Sequence, residues 1–193
     1  MTTVALFHSV LGVREGVTRA AARLRAAGCE VLVVDQYDGR VFDDYETAGA
    51  YVEGIGFPAL MAEAADAVRD LPDGFVAAGF STGAGMAEYV ATQRPCSGVL
   101  LFSGALPMAV LGASWPAGLP AQLHRTTGDP FRSAEWDRAL ADDVAAAGGQ
   151  LEVVEYPGEG HLFTDPSLPD EYDPQATERL WREALAFCDR VAG

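Results

Sequence analysis

The sequence predicts an α/β fold, a mostly parallel sheet of about six strands with helices on both faces. Three observations predict it. Short apolar runs alternate with segments of helical periodicity along the chain. The runs are continuously apolar, as strands covered on both faces must be. A glycine-flanked serine sits between one such run and the helical pattern after it.

The elements follow in order. Residues 4–7 read as the first strand. Val17, Ala20, Ala21 and Leu24 then recur at helical spacing, and Gly28 stops that helix. Residues 31–34 are the second strand, and a loop rich in Asp, Tyr and Gly spans 35–54. A helix over 59–68 precedes the third strand, 75–78. The helix after Ser81 runs to about Gln93, and residues 99–102 are the fourth strand. The uncharged stretch 104–120, broken by Gly and Pro, reads either as a loop packed on the core or as a flap over a site. The fifth strand covers 121–126. Ser133 caps a helix that carries Trp136, Leu140 and Val144 on one face. Residues 151–155 are the last strand. Asp173 and Pro174 open a final helix whose Trp181, Ala184, Leu185 and Cys188 share a face.

At 193 residues, the chain is expected to be one domain, 1–193. Its hydrophobic content of 49% fits a packed core. The net charge of -15 repels phosphate backbones and anionic bilayers, so neither nucleic acid nor a membrane is an expected partner. Residues 1–7 lack a basic region and run straight into a strand, so no signal peptide is expected. The three scattered cysteines, Cys29, Cys96 and Cys188, suggest free thiols in a reducing cytoplasm. The oligomeric state is not legible.

The chemistry centres on Gly79-Phe80-Ser81-Thr82-Gly83. A strand, a tight turn and a helix with serine at the apex make a nucleophile elbow. Glycines two positions to either side let strand and helix approach, because glycine has no side chain to clash. A serine hydroxyl needs a base to take its proton. Catalytic groups in such sheets gather at the carboxyl ends of strands. Asp129 follows the fifth strand and His161 the last, giving the chain order Ser, Asp, His. His161 is then the base and Asp129 its orienter. His124 lies inside a strand and reads as a core residue, while His8 ends the first strand and better suits shaping the adjacent loop. The oxyanion needs preorganised donors: the N–H of Thr82, and an N–H from the loop 8–12, assigned to Val10. Ser9 and Leu11 of that loop, with Leu106, Phe131, Leu162 and Phe163, are the expected substrate contacts.

Together with Asp35-Gln36-Tyr37-Asp38-Gly39-Arg40, Gly128-Asp129-Pro130-Phe131 and Pro157-Gly158-Glu159-Gly160-His161-Leu162-Phe163, the elbow and the loop 8–12 resemble the dienelactone hydrolase family, a branch of the α/β-hydrolases. The resemblance implies a minimal α/β-hydrolase that cleaves a small-molecule ester or lactone through an acyl-enzyme, without metal or cofactor. Ser81 stands where the family's best-known members have cysteine, and Ser9 where they have glutamate. Asp165 occupies the site after the catalytic histidine where a substrate-binding arginine would fall, which points away from anionic substrates. Acyl transfer to another acceptor and non-catalytic ligand binding are the alternatives on this fold. Dinucleotide binding is disfavoured, since the first βα turn lacks G-x-G-x-x-G.

Overall fold

In a computed structural model that describes residues 2–192, six parallel strands form one sheet in the order β2-β1-β3-β4-β5-β6. They are β1 (Thr3–Phe7), β2 (Glu30–Val34), β3 (Phe75–Phe80), β4 (Cys96–Phe102), β5 (Ala121–Thr126) and β6 (Leu151–Tyr156). Among the described residues six helices lie between the strands, α1 (Glu15–Ala26), α2 (Tyr45–Ile55), α3 (Phe57–Ala67), α4 (Thr82–Gln93), α5 (Met108–Leu111) and α6 (Ala134–Ala146), and α7 (Pro174–Val191) follows β6. No helix among the described residues is long and apolar enough to cross a membrane.

Strand periodicity divides the core in two, because successive side chains point to opposite faces. Val4, Leu6, Val76, Ala78 and Leu100 pack on one face with Leu24 of α1 and Leu180 and Trp181 of α7. Ala5, Phe7, Ala77, Val99 and Leu101 pack on the other with Leu60 of α3, Met86 of α4 and Leu140 of α6. The strand order reverses between β1 and β3, so the carboxyl ends of these two strands open a crevice. The loop 8–12 leaves β1 and Ser81 leaves β3 at that crevice.

His124 is fully buried on β5, as its place inside a strand predicted. Its Nε2–H donates to Gln122 Oε1 (2.8 Å) and its Nδ1 accepts from the Tyr156 hydroxyl (2.7 Å). Burial, helped by the Arg179 charge, pulls its pKa down to about 3. The imidazole is a neutral, doubly bonded core group.

The helices differ from the sequence reading in several places, among them the short α5 inside the stretch 104–120. The second half of the segment read as loop, 45–54, belongs to α2. Asp44 caps it, accepting from the Thr47 N–H at 2.7 Å. Gly56 separates α2 from α3, which begins two residues earlier than expected with Pro58 in its first turn. Trp136 lies a turn before Leu140 on α6, but it is 43% exposed while Leu140 and Val144 are buried.

Candidate active site

The elbow forces Ser81 into an unusual conformation, φ 52° and ψ -113°, which a non-glycine residue holds only under local strain. The strain is sustained by close packing. The Ser81 N–H donates to the Phe102 carbonyl at 2.7 Å. A Cβ at Gly79 would collide with the Gly83 carbonyl, and one at Gly83 would stand 2.6 Å from the Phe7 carbonyl oxygen. Both glycines of the motif are therefore required by contact, as the spacing predicted.

The structure brings Ser81, His161 and Asp129 into one hydrogen-bonded line. Ser81 Oγ lies 2.7 Å from His161 Nε2, and His161 Nδ1 lies 2.7 Å from Asp129 Oδ2. The carboxylate fixes the proton on Nδ1, so Nε2 presents its lone pair to the serine hydroxyl. The other Asp129 oxygen accepts the Phe131 N–H at 2.8 Å. Both His161 and Asp129 are buried, which shields the pair from water. The Phe131 ring covers the imidazole, centroids 4.7 Å apart.

His8 has no part in this line. Its Nδ1–H donates to the Ser9 carbonyl at 2.6 Å and its Nε2 accepts the Gln36 N–H at 3.1 Å. Burial lowers its pKa against the raising effect of the Ser9 carbonyl, so it stays neutral.

The two backbone N–H groups expected to receive the oxyanion sit at the start of α4 and in the loop after β1. Thr82 is the first residue of α4, so its N–H has no acceptor within the helix. In the loop 8–12, the Gly12 N–H closes a turn on the Ser9 carbonyl (3.0 Å) and the Leu11 N–H donates to Ser9 Oγ (3.2 Å). Among the described residues the Val10 N–H has no acceptor.

A cavity of about 580 Å³ opens beside Ser81. Phe57, Leu106, Val110, Leu123, Phe131 and Trp136 supply its apolar walls. Leu106 and Phe131 were expected there. Ser9, Leu11, Leu162 and Phe163 were expected there too, and the structure places them elsewhere. The Ser9 hydroxyl is engaged in the turn, and Leu11 is wholly buried in the core beneath α1 and α7. Leu162 and Phe163 join that same core. The Phe163 carbonyl accepts the Asp173 N–H (2.9 Å) and the Thr177 hydroxyl (3.1 Å), which ties the chain to the start of α7 and turns both side chains inward. Trp115 also points to the core, its indole N–H on the Leu119 carbonyl at 2.9 Å.

Asp165 requires a second correction. It is buried away from the cavity, accepts from the Ser167 N–H and hydroxyl (2.9 and 2.6 Å), and faces Arg14 at 3.8 Å. It does not confront the substrate. Arg132 does line the cavity, together with Arg125 and Asp137. Arg132 pairs with Asp137 (3.1 Å) and Glu155 (3.3 Å), and Arg125 pairs with the same two carboxylates. Two cations and two anions leave this wall electrically balanced.

The amino-acid sequence matches the Dienelactone hydrolase family over residues 1–192. The chain belongs to the dienelactone hydrolase family. Family and triad together make it a carboxylic ester hydrolase of the dienelactone hydrolase type. Its fold is similar to that of a dienelactone hydrolase-like promiscuous phosphotriesterase from metagenomic libraries, at 22% identity and a TM-score of 0.83, covering 99% of this chain and 87% of that one. A protein named m3DLH is similar at 23% identity and a TM-score of 0.80, with coverages of 98% and 86%. Thermogutta terrifontis esterase 2, phosphonylated by cyclosarin, is similar at 18% identity and a TM-score of 0.72, with coverages of 98% and 83%. These likenesses establish the minimal α/β-hydrolase fold of this family member. No curated protein matches its sequence.

Two residues that the sequence reading did not single out lie beside the triad. Tyr45 begins α2 and its ring centroid is 6.0 Å from that of His161. Glu171 accepts the Leu162 N–H at 2.6 Å, one residue past the histidine. Neither belongs to a motif, and α2 itself went unread.

Proposed function

We propose that this protein hydrolyses a small, neutral, largely apolar ester or lactone through an acyl-enzyme on Ser81. The observation that carries the reading is the continuous line Ser81–His161–Asp129 at the edge of an apolar cavity. Ser81 Oγ attacks the carbonyl carbon while His161 Nε2 takes its proton. The new Oγ–C bond leaves an oxyanion, which the Thr82 and Val10 N–H groups receive. His161 returns the proton to the leaving alkoxide as the C–O bond breaks. Water then repeats the sequence and frees Ser81. Asp129 stays ionised and stabilises the imidazolium in both halves.

A neutral substrate follows from the balanced wall. Arg125 and Arg132 already hold carboxylates, so a substrate carboxylate would have to displace one. The cavity volume lies within the range usual for small-molecule sites, roughly 300–1,000 Å³.

The test combines labelling with kinetics. A fluorophosphonate should form a single adduct on Ser81, found by mass spectrometry. Ser81→Ala should lower kcat on p-nitrophenyl esters by roughly 10⁴-fold or more. An adduct elsewhere, or an active alanine variant, rejects the mechanism. Products analysed with added alcohol or thiol separate hydrolysis from acyl transfer.

A further inference from the structure

His161 stands on irregular chain between β6 and α7, yet its imidazole must hold two hydrogen bonds at once. A loop does not supply such precision unless something braces it. The bracing group is Glu171. On the far side of the histidine it accepts the Leu162 N–H at 2.6 Å. On the near side Gly160 lies so close to the Glu171 carbonyl that a Cβ there would collide with it. The Gly160 carbonyl in turn accepts the Thr126 hydroxyl at 2.8 Å, which pins the loop to the end of β5. Glu171 therefore contacts the chain immediately before and immediately after the base.

The carboxylate is itself held. The Tyr45 hydroxyl donates to its two oxygens at 2.8 and 3.0 Å, across 126 residues of sequence. Burial, reinforced by the Glu171 charge, raises the Tyr45 pKa, so the phenol remains a donor throughout the working range. The Tyr45 ring packs against Phe131 with centroids 5.1 Å apart, and Phe131 covers the imidazole. One side chain on α2 thus links the Asp129 loop to the His161 loop.

We propose that Tyr45 and Glu171 are positioning residues that hold His161 between Ser81 and Asp129. The inference rests on the reading of His161 as the base. Removing the brace should leave substrate binding intact and misplace the proton acceptor. A displacement of the order of 1 Å at a catalytic group lowers turnover by about 10²-fold.

The experiment compares Tyr45→Phe, Glu171→Ala, Glu171→Gln and the double variant Tyr45→Phe/Glu171→Ala on a p-nitrophenyl ester. Glu171→Ala should lower kcat by about 10–100-fold with KM within about twofold. Glu171→Gln should recover most of the loss, because an amide oxygen still accepts from the Leu162 N–H. The double variant should be no worse than Glu171→Ala, since the phenol acts only through the carboxylate. The proton shared by His161 and Asp129 should give a sharp downfield NMR signal in the parent, broadened in Glu171→Ala. Thermal unfolding of each variant separates this from general loss of structure. If Glu171→Ala does not fold, Tyr45→Phe decides: it keeps the ring and should still lower kcat about threefold or more. Full kcat in Glu171→Ala, or in Tyr45→Phe where the former is unfolded, overturns the proposal while an inactive Ser81→Ala leaves the triad standing. An active Ser81→Ala overturns the triad and the brace with it.

Discussion

Gly104 lies against the backbone of Ser81: a Cβ at position 104 would stand 2.7 Å from the Ser81 carbonyl oxygen and 2.9 Å from its Cα. The strained serine is thus packed from β4 as well as from its own motif. Ser103, one residue earlier, has φ 55° and donates its N–H to the His124 carbonyl at 2.7 Å. The chain leaving β4 is locked before it reaches the elbow, so neither partner yields easily.

Gly104→Ala should therefore move Ser81 relative to His161. We expect kcat to fall by about 10–100-fold, since misplacement by an ångström costs about that much. Gly54→Ala is the matched control. Gly54 is exposed on α2 with nothing within 4 Å of the added carbon. That change should leave activity intact and stabilise the fold by roughly 0.5–1 kcal/mol. Equal activities in the two variants would show that the elbow tolerates a methyl group behind it.

The strands and the triad were legible because each rests on local chemistry. A buried parallel strand must be apolar throughout, and a serine elbow must carry its glycines. Phe75 to Phe80 shows both in one stretch. The helix α2 was hidden because its strongest signal, Asp44, lies in a run of polar residues, and because Gly49 and Gly54 weaken its helical propensity. Side-chain direction in loops was the other gap. Leu162 and Phe163 follow His161 in sequence but point to the core, because backbone bonds to Glu171 and to the start of α7 set their direction. No periodicity encodes that. Asp165 failed for the same reason: nearness to the histidine along the chain did not mean nearness to the substrate.

The buried His124 should make stability depend on pH in a predictable sense. Its folded pKa of about 3 lies below the unfolded histidine value of about 6.5. Its contribution is complete above pH 6.5 and is lost as pH falls towards 3, because the unfolded chain takes up the proton first. Between pH 7 and pH 5 the loss from this one group is about 2 kcal/mol. Urea unfolding of the parent and of His124→Gln at both values should show the stability gap shrinking by about that amount. A gap that does not change would mean that the imidazole is protonated in the fold.

Glu88 should give the opposite slope. It is fully buried on α4, and its two oxygens accept the Leu106 N–H at 3.2 and 3.0 Å. Burial raises its pKa well above the carboxylic norm against the lowering effect of that N–H. The raised value means stability that is complete below the unfolded pKa of about 4.3 and is lost as pH rises towards the folded value. Glu88→Gln keeps an acceptor and abolishes the ionisation. Its stability relative to the parent should rise with pH from about 4.3 upwards. Glu88→Ala leaves the Leu106 N–H unpaired, at a cost of about 1–3 kcal/mol, and loosens a wall of the cavity, so KM should change as well. A flat difference between parent and Glu88→Gln across pH 5 to 8 would reject this account.

The substrate should be neutral, and its apolar part should fill the cavity. Leu106, Phe131 and Trp136 present apolar surface beside Ser81, and Phe131 and Trp136 are exposed in the free protein. Each methylene taken from water into such a site contributes up to about 0.8 kcal/mol. Along a p-nitrophenyl ester series, kcat/KM should climb a few-fold per carbon and then level off when the cavity is full. Trp136→Ala should flatten that climb without altering the rate on acetate, because the shortest acyl group does not reach it. The charge test uses a neutral ester and its carboxylate-bearing analogue at low and high salt. The -15 net charge repels the anion at low salt, and Arg132 is occupied by Asp137 and Glu155, so the neutral ester should win at both. A preference for the anion that disappears in Arg132→Ala would mean that the arginine leaves its carboxylates to bind substrate, and the neutral reading would fail.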